Sequence, residues 1–224
     1  MAHPRSPFRS CGALAAALTV VLLYALGALL AWDFQLAELW AAEDGVIEWT
    51  QVALLCGAFA LGARRLFGLV ANGRPAAPDL LLTFLFGALL IGELDLDYRL
   101  FGISVLDSRF FRRPTVWLPY KLLAALVIGG AHLAVAAYAV RHKDQLWREA
   151  RRLTAEPWGH LLLAGAAIFG FVQLFERRLN HWLLLPRNFL EESLELMAAF
   201  YFLLAMVART FFSSEPSDRR QHFS

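Results

Sequence analysis

A polar segment follows the third long apolar stretch of the chain and runs from Gly92 to Arg99. It carries three carboxylates, Glu93, Asp95 and Asp97. If one helix continues through the segment, Glu93 and Asp97 are four residues apart and share a face. Ionised side chains at membrane depth are costly, so they normally face a partner or a water-filled cavity. The segment is therefore the first candidate for a functional site.

Three other apolar stretches carry polar residues at helical spacing near the same predicted end. These residues are Asp44, Glu48 and Gln51 in the second stretch, Gln173, Glu176, Arg177, Asn180 and His181 in the fifth, and Glu191, Glu192 and Glu195 in the sixth. Four helices with polar groups at matching depth predict one shared cavity. Gathering charged groups in one hydrated volume costs less than leaving each of them to face lipid. The residues expected to converge and to do any catalysis are Glu48, Glu93, Asp97, Arg177, Glu192 and Glu195.

Three kinds of chemistry remain open for this set. Hard carboxylates with one imidazole could hold a divalent metal, which would lower the pKa of a bound water for hydrolysis. Closely spaced acids could instead share protons and act in acid–base catalysis or in a proton relay. Arginines could also neutralise the acids and leave a structural network. The predicted metal ligands are Glu48, Glu93, Asp97, His181 and Glu195.

A purely structural reading also applies to the acidic residues at helix starts. Glu43, Asp44 and Glu191 fall in or next to the first turn of predicted helices, where a negative charge interacts favourably with the helix dipole. No zinc-binding His pair at helical spacing, nucleophile elbow or glycine-rich phosphate loop is present in the sequence. The acidic residues therefore indicate where a site could lie, and they do not indicate which reaction it would catalyse.

The elements that must position these residues are predicted to be membrane helices. The chain has 224 residues, 58% of them hydrophobic, and a mean hydropathy of +0.50. The expected fold is an all-α, polytopic bundle of six transmembrane helices that forms a single domain over residues 1–224, with short tails at 1–10 and 213–224. The predicted spans are about Cys11–Trp32, Val46–Val70, Asp79–Arg99, Val116–Val140, Pro157–Leu185 and Phe189–Phe212.

The connections between the predicted spans carry further signals. Residues 33–45 read as an acidic loop, and 72–75 as a turn. Residues 141–156 are basic and hold apolar residues at helical spacing, which predicts an amphipathic helix on the membrane surface. Small residues at i, i+4 predict close helix contacts at Ala125 with Gly129 and at Ala166 with Gly170.

The distribution of basic residues predicts which side of the membrane each loop occupies. Six spans place both termini on one side, and that side carries 13 of the 21 Lys and Arg residues. The positive-inside rule then places both termini in the cytoplasm of a bacterial inner membrane and the acidic site on the periplasmic side. The formal net charge of +2 is too small to indicate nucleic-acid binding.

Three motifs resemble those of a group of uncharacterised bacterial polytopic inner-membrane proteins. They are the segments 43–49 (Glu-Asp-Gly-Val-Ile-Glu-Trp), 92–97 (Gly-Glu-Leu-Asp-Leu-Asp) and 191–195 (Glu-Glu-Ser-Leu-Glu). Many members of the group have an arginine where this chain has Gly92. The resemblance implies a shared helical fold and the same acidic positions, and it implies no particular substrate.

Three classes of function fit these observations. The first is a membrane-embedded enzyme, with or without a divalent metal, that acts on a membrane lipid or a lipid-linked substrate at the periplasmic leaflet. The second is a non-catalytic scaffold or accessory subunit of a partner membrane protein. The third is a proton- or cation-coupled transporter, which would need a polar path toward the cytoplasm that these spans do not supply.

Overall fold

The computed structural model describes residues 7–42, 44–102, 105, 108–178 and 187–212. All regular secondary structure in these ranges is helical, as the sequence predicts. The helices are α1 (Pro7–Trp32), α2 (Phe34–Trp40), α3 (Val46–Ala71), α4 (Ala77–Glu93), α5 (Leu96–Phe101), α6 (Ser108–Arg112), α7 (Leu118–Arg141), α8 (Lys143–Leu153), α9 (Pro157–Arg178) and α10 (Arg187–Phe211).

Five helical stretches in the described residues are long and apolar enough to cross a membrane. They are Ala15–Trp32, Val46–Ala71, Leu118–Arg141, Pro157–Leu174 and Asn188–Phe211. They correspond to five of the six predicted spans. The predicted third span is not among them, so a count of six is not confirmed. The helix formed there, α4, has 17 residues and rises only about 26 Å, at the lower limit for crossing the hydrocarbon layer.

The predicted third span ends earlier than expected. α4 stops at Glu93, and Asp95 has a left-handed backbone with φ 44°. Asp is one of the few non-glycine residues that visits this region, because its short polar side chain can bond locally. A separate short helix, α5, then begins at Leu96. Glu93 and Asp97 therefore do not lie on one continuous helix, and the face-sharing argument for them was wrong.

Several local signals gave correct predictions. The turn at 72–75 forms with Gly73 at φ 63°, and the Arg74 N–H reaches the Leu69 carbonyl, 2.9 Å away. Pro157 begins α9, a position that suits proline because its missing N–H has no helical partner there. The amphipathic helix is α8, and none of its residues is buried. The predicted loop at 33–45 contains α2, which the sequence reading missed.

The chain divides into two compact units. Unit 1 comprises Met1–Leu61 and Arg152–Ser224, and unit 2 comprises Gly62–Arg151. The first part of α3 belongs to unit 1 and its remainder to unit 2. The single-domain prediction stays a prediction.

In unit 1, α9 and α10 pack together closely along a face of small residues. A Cβ atom at Gly165 would lie 2.8 Å from the Phe202 ring and 3.2 Å from the Ala198 carbonyl oxygen. Only glycine fits this approach, since real Cβ contacts almost never fall below 3.0 Å. The predicted close contact at Gly170 is not found, because a Cβ there would meet no described atom within 4 Å. The close contact between α9 and α10 lies instead at Gly165, five residues earlier in α9.

α1, α2 and α3 complete the packing around α10 in unit 1. The Thr19 and Tyr201 hydroxyls are hydrogen-bonded at 3.0 Å and join α1 to α10. A Cβ at Gly57 of α3 would lie 3.1 Å from Leu203 of α10. A buried cluster forms near the starts of α3 and α10, and its members are Ala37, Ala41, Ile47, Phe189 and Leu196. On α3 the cluster residue Ile47 comes before Gly57, and on α10 the cluster residues come before Leu203. The two helices therefore run in the same direction.

In unit 2, α4 contacts α5 and α7. No residue of α7 is buried by the described part of the chain. α7 begins with Pro119 in its first turn and ends at Arg141, next to α8. Its small residues make no close contact, since a Cβ at Gly129 or Gly130 would meet nothing within 4 Å.

Candidate functional site

Acidic side chains accept backbone N–H groups near the starts of α2 and α3. Asp33 caps α2, and its carboxylate accepts a hydrogen bond from the Leu36 N–H at 3.0 Å. Asp44 has a left-handed backbone with φ 61°. Its N–H donates to Glu48 Oε2 at 2.7 Å. This contact resembles a capping box, in which a carboxylate in the first turn reaches back to a free N–H. Glu48 therefore has a structural role at the start of α3.

Gly45 is required at the same turn. A Cβ at this position would clash with the backbone carbonyl oxygens of Trp40 and Ala42. The Gly45 N–H instead donates to the Ala42 carbonyl at 2.7 Å. The turn brings the end of α2 close to the start of α3, with Ala41 and Ile47 in one buried cluster. The short helix α2 and this turn together connect two candidate membrane spans, Ala15–Trp32 and Val46–Ala71.

An apolar pocket of about 510 Å³ opens beside this turn. It lies within unit 1, between the C-terminal half of α1, α2, the start of α3 and one residue of α10. Its lining residues are Leu22, Ala25, Leu26, Ala28, Leu29, Trp32, Asp33, Leu36, Trp40, Val46, Ile47, Thr50 and Leu196. We refer to it below as the apolar pocket. Its volume falls in the range of ligand-binding pockets, which is roughly 300–1,000 Å³.

The two polar side chains in the lining make local hydrogen bonds. Asp33 caps α2, and the Thr50 hydroxyl donates to the Val46 carbonyl at 2.7 Å. The remaining lining is aliphatic or aromatic. Trp32 is 91% exposed and Trp40 is 37% exposed. The pocket thus offers an apolar surface with two tryptophans and shows no polar recognition of its own.

Two polar atoms are buried near the starts of α3 and α10 without a hydrogen-bond partner among the described residues. They are Gln51 Oε1 and Ser193 Oγ, in side chains that are 1% and 8% exposed. An unsatisfied buried acceptor costs about 1–3 kcal/mol. The sequence analysis placed Gln51 on the predicted polar stripe of α3, and the structure shows that it faces the protein interior. Ser193 was not singled out.

The acidic residues of α10 lie at the same end of unit 1 as Glu48, because α3 and α10 run in the same direction. Glu191, Glu192 and Glu195 are each partly buried. Each of them makes at least one polar or charged interaction. Their proximity to Glu48 as parts of one cavity stays a prediction.

The other predicted site residues fall in different parts of the chain. Glu93 ends α4 in unit 2, is partly buried and has an interaction partner. Asp97 lies in α5 and Arg177 in α9, and their side chains are outside the described set. His181 lies outside the described residues altogether. The convergence of the six predicted catalytic residues on one pocket therefore stays a prediction.

The predicted metal site also stays a prediction. Among the described residues, no group of three or more His, Cys, Asp or Glu side chains is arranged to hold a metal ion. Two predicted ligands, Asp97 and His181, are not in that set. Of the remaining predicted ligands, Glu48 accepts the Asp44 N–H. A metal at this position would therefore compete with a helix-start hydrogen bond.

A buried arginine lies at the opposite end of unit 1. Arg209, in the last turn of α10, is 2% exposed and stacks over the Trp158 ring at 4.1 Å. The Trp158 indole N–H donates to Glu156 Oε2 at 2.6 Å. A desolvated cation over a tryptophan face contributes roughly 2 kcal/mol or more. This group joins the start of α9 to the end of α10.

A short ion pair with little solvent exposure lies in unit 2. Arg65 Nε donates to Asp79 Oδ1 at 2.8 Å, and the two side chains are 17% and 5% exposed. Arg65 comes before the turn at 72–75, and Asp79 is in the first turn of α4. The turn reverses the chain, so residues on either side of it meet at the same level.

The sequence reading missed both buried arginines, although each had a signal. Arg65 precedes a turn that Asp79 follows, which is the pattern of a pair across a helical hairpin. Arg209 is a lone cation inside an apolar span, and such residues normally have a partner. Neither signal names the partner, because several acids and aromatic residues lie at the right distance along the chain. The two tryptophans of the apolar pocket, Trp32 and Trp40, were given no role from the sequence.

Comparison of the chain with protein-family models, with curated proteins and with solved structures finds no match. The resemblance to bacterial inner-membrane proteins therefore remains a prediction from the three motifs. The functional argument rests on the geometry described above.

Proposed function

We propose that this chain is a multi-pass membrane protein that binds a lipid or a lipid-linked molecule in the apolar pocket. The observation that supports the proposal most directly is the lining, which is apolar except for Asp33 and Thr50. Because both polar side chains already bond to local backbone groups, the pocket favours an alkyl chain over a polar solute. Each buried methylene of such a chain contributes about 0.8 kcal/mol.

The location of the pocket also favours a lipid. It lies at the end of the candidate span Ala15–Trp32 and at the start of the candidate span Val46–Ala71. These ends are expected near the headgroup region, where tryptophan side chains are enriched. Trp32 and Trp40 would flank the headgroup while the alkyl chain extends along α1. The expected side is the periplasmic one, and reporter fusions after Gly73 and Arg148 would test it by reporting cytoplasm.

A more specific form of the proposal is that the protein catalyses a reaction on the bound lipid. It assigns acid–base or metal-binding roles to Glu48, Glu192 and Glu195, at the end of unit 1 where the pocket opens. The spacing of the acids in the sequence supports it. Metal analysis of the purified protein, with and without Glu195→Gln, tests this form, because loss of a stoichiometric metal in the variant is its specific consequence. Lipid binding does not depend on that result.

The binding proposal is tested by filling the pocket. Ala28 lines the pocket and is exposed, so Ala28→Phe adds a ring there without displacing buried side chains. Intact-mass measurement of the protein released from mild detergent should show a retained lipid in the natural protein. We expect Ala28→Phe to lower the occupied fraction several-fold.

The matched control is Ala31→Phe, which adds the same ring at an exposed position of α1 outside the pocket lining. It should retain lipid as the natural protein does. Equal retention in both variants would show that the pocket is not the binding site. Absence of retained lipid from the natural protein, with added phospholipid as the probe, would instead favour the scaffold hypothesis.

A further inference from the structure

α8 is a basic amphipathic helix between two candidate membrane spans. Only His142 separates it from α7, and residues 154–156 separate it from α9. α7 and the first 18 residues of α9 are both long and apolar enough to cross a membrane. Such short connections keep α8 at the level where those spans leave the bilayer. If those two helices cross the bilayer, the 11 residues of α8 lie at the membrane–water boundary.

The apolar and charged residues of α8 occupy separate faces. Leu146, Ala150 and Leu153 follow one another at i, i+4 and i+7 and form the apolar face. No residue of the helix is fully buried by the described part of the chain; Leu146 and Leu153 are partly buried and Ala150 is exposed. A helix with these properties lies in the plane of the interface with its apolar face toward the acyl chains.

One edge of α8 combines two cations with a tryptophan. Lys143, Trp147 and Arg151 are spaced at i, i+4 and i+8, which places them in one row along the helix. Trp147 is 63% exposed, and the Arg151 guanidinium lies 5.5 Å from the centre of its ring. We call this row the basic edge. The other edge carries Gln145 and Glu149, and the remaining arginines of the helix lie on the face opposite the apolar residues.

The basic edge has the chemistry of a binding surface for phosphate-containing headgroups. Tryptophan is enriched at headgroup level, and long Lys and Arg side chains keep their charged ends there while their stems cover apolar surface. Residues 141–152 contain five Lys or Arg residues and two acids. Negative lipid surfaces attract such segments. The Arg151 side chain already lies over the indole ring, so it loses less conformational freedom when it binds a phosphate group.

We propose that the basic edge of α8 binds the phosphate groups of anionic lipids in the surrounding bilayer. The occupant is a lipid surface rather than a soluble anion, because the apolar face and Trp147 direct the edge toward the headgroup layer. The proposal does not depend on lipid binding in the apolar pocket. It concerns the phosphate group of a lipid rather than its alkyl chain, and it involves different residues.

The test uses the full chain in mild detergent with phosphatidylglycerol or phosphatidylcholine as the added probe. Intact-mass measurement gives the number of lipids bound at each lipid concentration. We expect phosphatidylglycerol to bind in preference to phosphatidylcholine. Lys143→Gln with Arg151→Gln should weaken phosphatidylglycerol binding on the order of tenfold, with phosphatidylcholine binding unchanged.

The matched control is Arg148→Gln with Arg152→Gln, which removes the same charge from the opposite side of α8. It should weaken binding much less than the edge variant. An equal loss in both double variants would mean general attraction by net charge and would overturn the proposal. Lys143→Arg and Arg151→Lys keep the charges and should keep the preference. Ala28→Phe should also leave it unchanged, which separates this surface from the apolar pocket.

Discussion

α10 of unit 1 and α7 of unit 2 are both long apolar helices, but among the described residues only α10 contributes buried side chains. The mean hydropathy is 2.0 over Leu118–Arg141 in α7 and 1.6 over Asn188–Phe211 in α10. Half of the α10 stretch is buried, whereas no residue of α7 is buried by the described part of the chain. Lipid tails are as apolar as leucine, so apolar content does not drive helices together inside a membrane. Burial is decided by how well two surfaces fit.

Small residues show the same contrast. The buried face of α10 contains Ala198, Ala199, Ala205 and Ala208, and Gly165 of α9 fits against it. α7 has two adjacent glycines with open space around them. A small residue permits a close approach, and the approach occurs only where the other helix offers a complementary side chain. For α9 and α10 that side chain is Phe202.

The largest effect is expected from breaking the buried ion pair of unit 2. Asp79→Ala removes the carboxylate that Arg65 Nε contacts. Because Arg65 is partly exposed, we expect a loss of about 3 kcal/mol, the lower end of the range for breaking a buried pair. The free energy of unfolding can be measured for the purified protein by titration with SDS. This variant tests whether the stability of unit 2 depends on a charge pair, whereas the stability of unit 1 depends on close packing.

The control for Asp79→Ala is the double variant Arg65→Leu with Asp79→Leu. Replacing both charges by apolar residues is often neutral, because no buried charge is left unpaired. The double variant should therefore recover most of the lost stability. If it is as unstable as Asp79→Ala, the pair is not what holds α3 and α4 together.

A smaller effect is expected at the arginines that end the two compared helices. Arg209 ends α10 and stacks on Trp158, whereas Arg141 ends α7 and is exposed. Both interact with the dipole at a helix C-terminus, which contributes about 0.3–1 kcal/mol. Arg209→Ala also loses the stacked, buried contact, so it should cost about 2 kcal/mol more than Arg141→Ala. Equal losses in the same SDS titration would contradict the difference between the helices.

The smallest effect is expected from adding a side chain to a helical glycine. Gly165→Leu forces the ring of Phe202 aside and should cost about 1–3 kcal/mol. Gly129→Leu places the same side chain in open space on α7 and should change the stability by no more than about 0.5 kcal/mol. Both substitutions raise the intrinsic helix propensity equally, so the difference reports packing. A destabilised Gly129→Leu would reveal that another surface packs against α7 at Gly129.

The sequence predicted the helices well because helix formation is local. Each backbone bond joins residues four apart, so an apolar stretch of sufficient length with a cap or a turn at its end specifies its own limits. Gly73 after α3 and Pro157 at the start of α9 are examples. The exceptions are also local. A left-handed Asp95 ends α4 early, and the N-cap at Asp33 begins a helix in a predicted loop.

The partners of these helices were decided only by the tertiary structure. The sequence placed Glu48 among polar groups that could share a cavity, and the folded chain engages it with the Asp44 N–H. It did not indicate that Arg209 stacks on Trp158, or that α1, α2 and α3 enclose an apolar pocket. Such contacts join residues far apart in the chain, and each helix has several faces of similar apolarity. Which face is buried depends on the shape of the neighbouring helix, and a single helix sequence does not contain that shape.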